Sequence, residues 1–448
     1  MSGLAAGIRL AHFDEKALIL ERHHRVGGLN SFYTLGGYNF DVGLHAMTNY
    51  IADPPRSAPI AKLARQLRIK FPEFKLAPQK SSKIIFPGVE LEFSNDYEKF
   101  TEEIRSKFPG RIDNFLRFTN AVREYNIFDF NAPRVSARKV VGDIIKEPLL
   151  LEMIMAPILF YGSPQENDID FSLFVTLYRS VLMEGLSRPP DIRHILNLLT
   201  DKYKYEGGEL RVKAGVKRIL TLNGKVTGVE LDDGEIVEGK AVISSAGFPE
   251  TCQLCPEAVP PGGAPRAGEL SLMESINVIN KPAYELGTDI TSIFYNKKER
   301  VSYRKPEEPV DLDSGVICYC DNYEYDEPKE TNIVRLTHLA NSDFWMNADE
   351  ALYESEKKKW RERSMKQAGE YGPDLIANTK FSDVFTPRTI NRFTGHINGA
   401  MYGSPEKLRT AKMGVDGLYL CGTDQGFCGI VGAMLSGVVV ANMALRSD

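Results

Sequence analysis

The chain has 448 residues, 43% of them hydrophobic and 26% charged, with a formal net charge of -5. That length supplies core for two or three domains, and the balance is that of an ordinary globular protein. The negative charge excludes a nucleic-acid binder, since the densest basic cluster, Lys357, Lys358 and Lys359, lies among acidic residues on a solvated helix.

The first forty-five residues begin inside a helix. Leu4, Ile8 and Leu10 share one side, and Gly3, Ala5, Ala6 and Gly7 let it pack closely. An apolar strand, Ala17 to Leu20, follows and ends on Glu21. This is the second half of a dinucleotide-binding βαβ unit. Gly3 stands where the third glycine of G-x-G-x-x-G belongs, and Glu21 follows it by 18 positions. The first strand and the first two glycines are expected upstream of Met1, a strand of ~5–6 residues plus a turn. The alternative is a chain that starts at Met1 and holds its nucleotide poorly.

Gly27–Gly28 then makes a tight loop. A hairpin runs from Phe32 to Phe40 around Gly36–Gly37, and Asp41 and His45 flank a glycine at its end. Ile84 to Phe93 reads as two short strands. From Asp96 to about Thr200 the pattern is helical, with Ile112, Phe115, Leu116, Thr119 and Val122 on one face. The most apolar stretch, Pro148 to Tyr161, is shorter than the ~20 residues that span a bilayer. Glu152 and Pro157 also interrupt it. It reads as a buried helix, with a surface helix dipping into a membrane as the alternative.

Tyr203 to Gly247 contains a meander with turns at Asn223–Gly224 and Asp233–Gly234, closing on an apolar strand, Ala241 to Ser245. Phe248 to Ala267 is rich in proline and glycine and reads as a loop. Leu272–Ile279, Thr291–Tyr295, Gly315–Tyr319 and Asn332–His338 predict an antiparallel sheet. A charged helix follows over Ala348–Gly369, then a strand at Gly417–Gly422 and a helix over Gly429–Leu445. The six cysteines, including Cys252-x-x-Cys255 and Cys318-x-Cys320, lack the paired ligands of a zinc site and read as ordinary thiols. A reducing, cytoplasmic setting follows, peripheral to a membrane if the apolar helix is exposed.

Three separated pieces converge: the opening helix and strand, the meander, and the glycine-dense segment LYLCGTDQGFCGIVGAMLSG. With LILERHHRVGGLNSF, DVGLH and GHINGAMYG, they resemble the FAD-dependent oxidoreductases that include phytoene desaturases, carotenoid isomerases, retinol saturases and, more distantly, amine oxidases. The resemblance covers about the first fifty and last sixty residues. It implies an α/β fold: a discontinuous Rossmann-like FAD-binding domain (1–50, 201–255 and 405–448) with an α+β substrate domain (51–95 and 256–404). The substrate domain holds the antiparallel sheet, and a helical subdomain (96–200) offers a membrane-facing surface.

The resemblance also implies non-covalent FAD. Glu21, with Arg22 beside it, would take the adenosine ribose. Gly3, Gly27 and Gly28 would allow close approach at the pyrophosphate and flavin edge. Val216 would meet the adenine, Gly422 and Asp424 the pyrophosphate and ribityl chain, and Gly432 and Ala433 the flavin's pyrimidine side. His45, His396 and Tyr402 are the candidate catalytic groups near the ring. The expected reaction is hydride exchange at a carbon–carbon bond of an apolar polyene or isoprenoid, with no nucleic-acid partner. Leu29 follows the double glycine where amine oxidases carry a basic residue, which leans away from amine oxidation. An amine oxidase, and a non-catalytic homologue that binds FAD weakly, are the alternatives.

Overall fold

The computed structural model describes residues 1–127, 129 and 132–446. Helix α1 (Ser2–Ala11) is followed by strand β1 (Leu18–Glu21). A Cβ on Gly7 of α1 would lie 2.8 Å from Ile19 Cδ1 and 2.9 Å from the Tyr203 ring, so helix and strand touch almost backbone to side chain. The hairpin β2 (Phe32–Leu35) and β3 (Tyr38–Asp41) forms as expected. Its turn residues Gly36 and Gly37 take positive φ of 59° and 82°, the geometry that matches strand twist in a two-residue loop. Helix α2 (Pro59–Leu67) and the hairpin β4 (Ser82–Phe86), β5 (Val89–Phe93) come next.

A helical run then builds the largest apolar core: α3 (Tyr97–Lys107), α4 (Ile112–Glu124), α5 (Ala137–Ile145), α6 (Pro148–Phe160) and α7 (Phe171–Tyr178). Met153, Ile154, Met155, Ile158 and Leu159 of α6 are fully buried, so the apolar run is the buried helix expected, and the surface alternative falls away. A helix apolar all round is an interior helix because neighbours cover every side. Among the described residues no helix is long and apolar enough to cross a membrane.

Helix α8 (Ile192–Tyr205) leads to strand β6 (Glu209–Val212), which pairs with β1 in parallel, Leu18 opposite Glu209. The meander follows as β7 (Val216–Leu222), β8 (Lys225–Leu231) and β9 (Ile236–Glu238). Strand β10 (Val242–Ser244) ends it. Phe248–Leu254, expected as loop, is instead a short helix, α9, with Pro249 in its first turn. Proline suits that position, where its missing N–H has no helical partner to lose.

Strands β11 (Ser271–Ile279), β12 (Ser292–Asn296), β13 (Ser314–Tyr319) and β14 (Asn332–Ala340) form the second sheet. They are joined, beyond helix α10 (Glu350–Ala368), by β15 (Thr379–Phe385). The order is β15-β11-β14-β13-β12-β4-β5. β12 runs parallel to β4, so the sheet is mixed rather than purely antiparallel. Helix α11 (Pro387–Thr394) then leads back to strand β16 (Leu418–Leu420), parallel to β10, and to helix α12 (Gly429–Ala444).

A second core joins Leu4 and Ile8 of α1, Ile60 and Leu63 of α2, Ile192 and Leu199 of α8, and Val431 and Met434 of α12. The first and last helices lie in backbone contact: a Cβ on Gly437 would stand 2.1 Å from the Ser2 carbonyl oxygen. All six cysteines are free and buried.

Candidate functional site

A cleft of about 1500 Å³ opens where the carboxyl ends of β1 and β10 meet the start of α1, the meander and the Gly422 turn. Main-chain geometry makes it a ready anion site. The first turn of α1 has no side-chain cap, so Ser2 and Gly3 bring free N–H groups and the positive helix end to the cleft. Gly28 has φ +58° and nothing within 4 Å of where a Cβ would stand, so its backbone is bare to a ligand. Arg22 and Lys217 add positive charge to the wall.

Glu21 ends β1 with its Oε1 accepting from the His23 N–H at 2.8 Å. Burial raises its pKa against the pull of the His23 and Arg22 N–H groups, and the side chain lines the cleft. Gly3, Glu21, Arg22, Gly27, Gly28, Val216, Gly422, Asp424, Ala433 and His396 all line this one cleft. Residues from both ends and the middle of the chain thus converge, and the donors, glycines and carboxylate fit a dinucleotide.

The remaining candidates have other duties. Asp424 is almost wholly buried, and its carboxylate is taken by the Phe248 N–H at 2.7 Å, the Ser404 N–H at 2.9 Å and Lys407 Nζ at 3.0 Å. It fixes the Gly422–Gly426 turn against α9. Gly432 packs under that turn, its Cβ position 3.2 Å from the Phe427 carbonyl carbon. His396 Nδ1 lies 3.4 Å from Glu250 Oε1, which also accepts from the Ile397 N–H at 2.9 Å. Glu250 Oε2 is buried without a partner and faces the cleft.

Tyr402 donates its hydroxyl to the Phe160 carbonyl, and burial pushes its pKa far up, so it tethers the helical region and does not line the cleft. His45 is also set back from the cleft. Its Nε2 lies 3.0 Å from Thr337 Oγ1 and 3.3 Å from Glu274 Oε2. Burial would raise the Glu274 pKa, but the Arg335 guanidinium in contact with it and His45 outweigh burial and hold it below the usual carboxylate range. Arg335 in turn donates to the Asp41 carbonyl at 2.7 Å, and Arg188 pairs with the Asp41 carboxylate at 2.7 Å. Sequence reasoning missed this ionic layer beneath His45. The available signal was Glu274 and Asn277 inside an otherwise apolar strand.

Residues 1–445 match the model of the family "flavin containing amine oxidoreductase". Among curated relatives, a chloroplastic prolycopene isomerase of Arabidopsis thaliana is 22% identical over 99% of this chain and 80% of its own length. The all-trans-retinol 13,14-reductase of Danio rerio is 24% identical over 100% and 85%. A neurosporene-forming phytoene desaturase of Rhodobacter capsulatus is 25% identical over 55% and 51%. An oxidoreductase of Methanosarcina mazei shares the fold with a TM-score of 0.68 at 15% identity, covering 99% of this chain and 98% of that one. Putrescine oxidase bound to putrescine shares it with 0.55 at 13%, covering 99% and 97%.

Proposed function

The chain belongs to the family of flavin-containing amine oxidoreductases, and on that footing we propose that this FAD-dependent oxidoreductase acts on carbon–carbon bonds of an apolar polyene or isoprenoid. The observation that carries the choice is that two relatives matched over nearly the whole chain are a prolycopene isomerase and a retinol reductase. Leu29, apolar where a basic residue would serve amine oxidation, supports it.

FAD, when bound, supplies two-electron hydride exchange. The protein's part is to bind and orient. Glu21 would receive the ribose diol, the first turn of α1 would receive phosphate oxygens, and Gly27–Gly28 would leave room for a planar edge. The first turn of α12 carries no side-chain cap, and Ala433 of this helix lines the cleft. His45 is braced by Glu274 of β11 and Thr337 of β14. Removing a hydride from a hydrocarbon leaves a carbocation that must lose a proton to complete the double bond, so a desaturation would also need a proton acceptor beside the flavin.

The test is to load the purified protein with FAD, follow the flavin spectrum under exclusion of oxygen, and offer carotenoids, retinoids and primary amines separately. A change in polyene bond order or geometry, with no hydrogen peroxide from amines, is expected. Peroxide from an amine with every polyene unchanged would overturn the reading in favour of amine oxidation.

A further inference from the structure

Family likeness gives the ribityl stretch of FAD to Gly422 and Asp424, but Asp424 spends its oxygens on the protein. Its Oδ1 accepts from the Ser404 N–H at 2.9 Å and Lys407 Nζ at 3.0 Å, and its Oδ2 from the Phe248 N–H at 2.7 Å. A Cβ on Gly403 would stand 2.1 Å from Oδ1, so main chain also closes over the carboxylate. The Phe248 contact pins the first turn of α9 to the Gly422 turn. That same turn of α9 carries a second carboxylate, Glu250, and both Glu250 and Gly247 line the cleft.

The two oxygens of Glu250 stand in different surroundings. Oε1 is held from the segment after α11: it accepts from the Ile397 N–H at 2.9 Å, and His396 Nδ1 lies 3.4 Å away. Oε2 is buried, and no donor among the described residues reaches it. Space for it exists because residue 247 is glycine: a Cβ there would lie 2.2 Å from Oε2 and 3.3 Å from His396 Cε1. Gly247 also holds φ at +110°, a backbone conformation that favours glycine. A buried acceptor without a donor is costly and rare in folded proteins, so Oε2 marks a place for a donor from outside the protein.

We propose that Glu250, in place of Asp424, is the carboxylate that accepts a ribityl hydroxyl of FAD. This role rests on the flavin reading above. A carboxylate repels phosphate oxygens and takes an O–H. The adenosine hydroxyls fall to Glu21 at the end of β1, which leaves the ribityl hydroxyls for a second carboxylate. Through Phe248 and Asp424, Glu250 is tied to the turn where the ribityl chain is expected. One side chain then joins two partners: Oε2 takes the cofactor, and Oε1 keeps hold of Ile397 on the substrate-side half.

The test titrates the 448-residue chain and its Glu250→Ala variant with FAD, with FAD analogues that each lack one ribityl hydroxyl, and with ADP. Flavin fluorescence and calorimetry give the affinities. A hydrogen bond to a charged group is among the strong ones, so the unaltered chain is expected to bind one deoxy analogue about tenfold or more weaker than FAD. The variant is expected to bind FAD and that analogue alike. ADP has no ribityl chain and should bind both proteins equally, which also reports an intact cleft. Gly247→Ala, whose methyl group takes the place of Oε2, should erase the discrimination as well. Equal discrimination by the chain and by Glu250→Ala would overturn the proposal. So would an unaltered chain that binds every deoxy analogue as tightly as FAD, because water would then fill the place at Oε2. A loss of ADP affinity as large as the loss of FAD affinity would overturn it too, since Glu250 would then act through the fold. If the unaltered chain takes up no FAD at all, the flavin reading falls and the proposal with it.

Discussion

Glu21 shows how one carboxylate can serve two partners. The His23 N–H holds Oε1, which fixes a side chain that also lines the cleft. Charged hydrogen bonds contribute ~1.5–3 kcal/mol, so Glu21→Gln is expected to weaken FAD binding by roughly 10- to 100-fold. A flavin-fluorescence titration checks this, with an unchanged circular dichroism spectrum as the control for folding. Asp424 is the opposite case: it sits at the cleft but spends its oxygens inside the protein. Lys407→Met would leave that buried carboxylate without its counter-ion, at a cost of about 3–5 kcal/mol, read as a lower urea midpoint. Both residues stand beside the same turn of the cofactor cleft, yet the first variant should lose affinity at nearly full stability and the second chiefly stability.

At the level of elements, α1 and α12 cross backbone to backbone at Gly437. A methyl group placed there would meet the Ser2 carbonyl oxygen at 2.1 Å and the Ala6 nitrogen at 3.0 Å, both backbone atoms that cannot swing aside. Alanine in a helix interior ordinarily gains up to ~1 kcal/mol over glycine. Gly437→Ala is nevertheless expected to destabilise by about 1–3 kcal/mol, the usual cost of overpacking, as a drop in Tm. Elements whose cause is local were legible in the sequence. The hairpin at Gly36–Gly37 and the meander turns, where Asn223 and Gly224 both take positive φ, carry their own turn chemistry. What could not be read was long-range. Ile84 opposite Phe294 joins strands some two hundred residues apart, and nothing local says that their pairing is parallel. The apolar run of α6 was ambiguous because only its neighbours decide between core and surface. Glu21 was legible through its spacing from Gly3, whereas the Glu274–Arg335–His45 layer is assembled from three distant segments and had no spacing to betray it.

Over the whole molecule, buried titratable groups set how stability follows pH. His338 is fully buried, with Nε2 2.8 Å from the Tyr295 hydroxyl and Nδ1 3.2 Å from Ser364 Oγ, and burial lowers its pKa to about 3. The unfolded chain binds that proton near pH 6.5. The folded state therefore has the full benefit of a neutral ring above pH 6.5 and loses stability as pH falls from there toward 3, by up to ~1.4 kcal/mol per unit. Asp321 works in the other direction: burial raises its pKa to about 8, so the folded state keeps a proton the unfolded chain has released. His338→Gln isolates the first effect, and urea titrations of both proteins between pH 6.5 and 4 should show a flatter decline for the variant. The contact between α1 and α12 reaches further still, because it joins segments some four hundred residues apart. During synthesis, the apolar side of α1, with Leu4 and Ile8, emerges long before its partner Met434. At ~5–20 residues per second the wait is roughly 20–90 s. The last strand of the mixed sheet ends at Phe385, before α12 is made. Vectorial synthesis thus lets the substrate-side half close before α12 is made and leaves the nucleotide-side half to be sealed afterwards, with α1 the natural target of a holding chaperone in the interval.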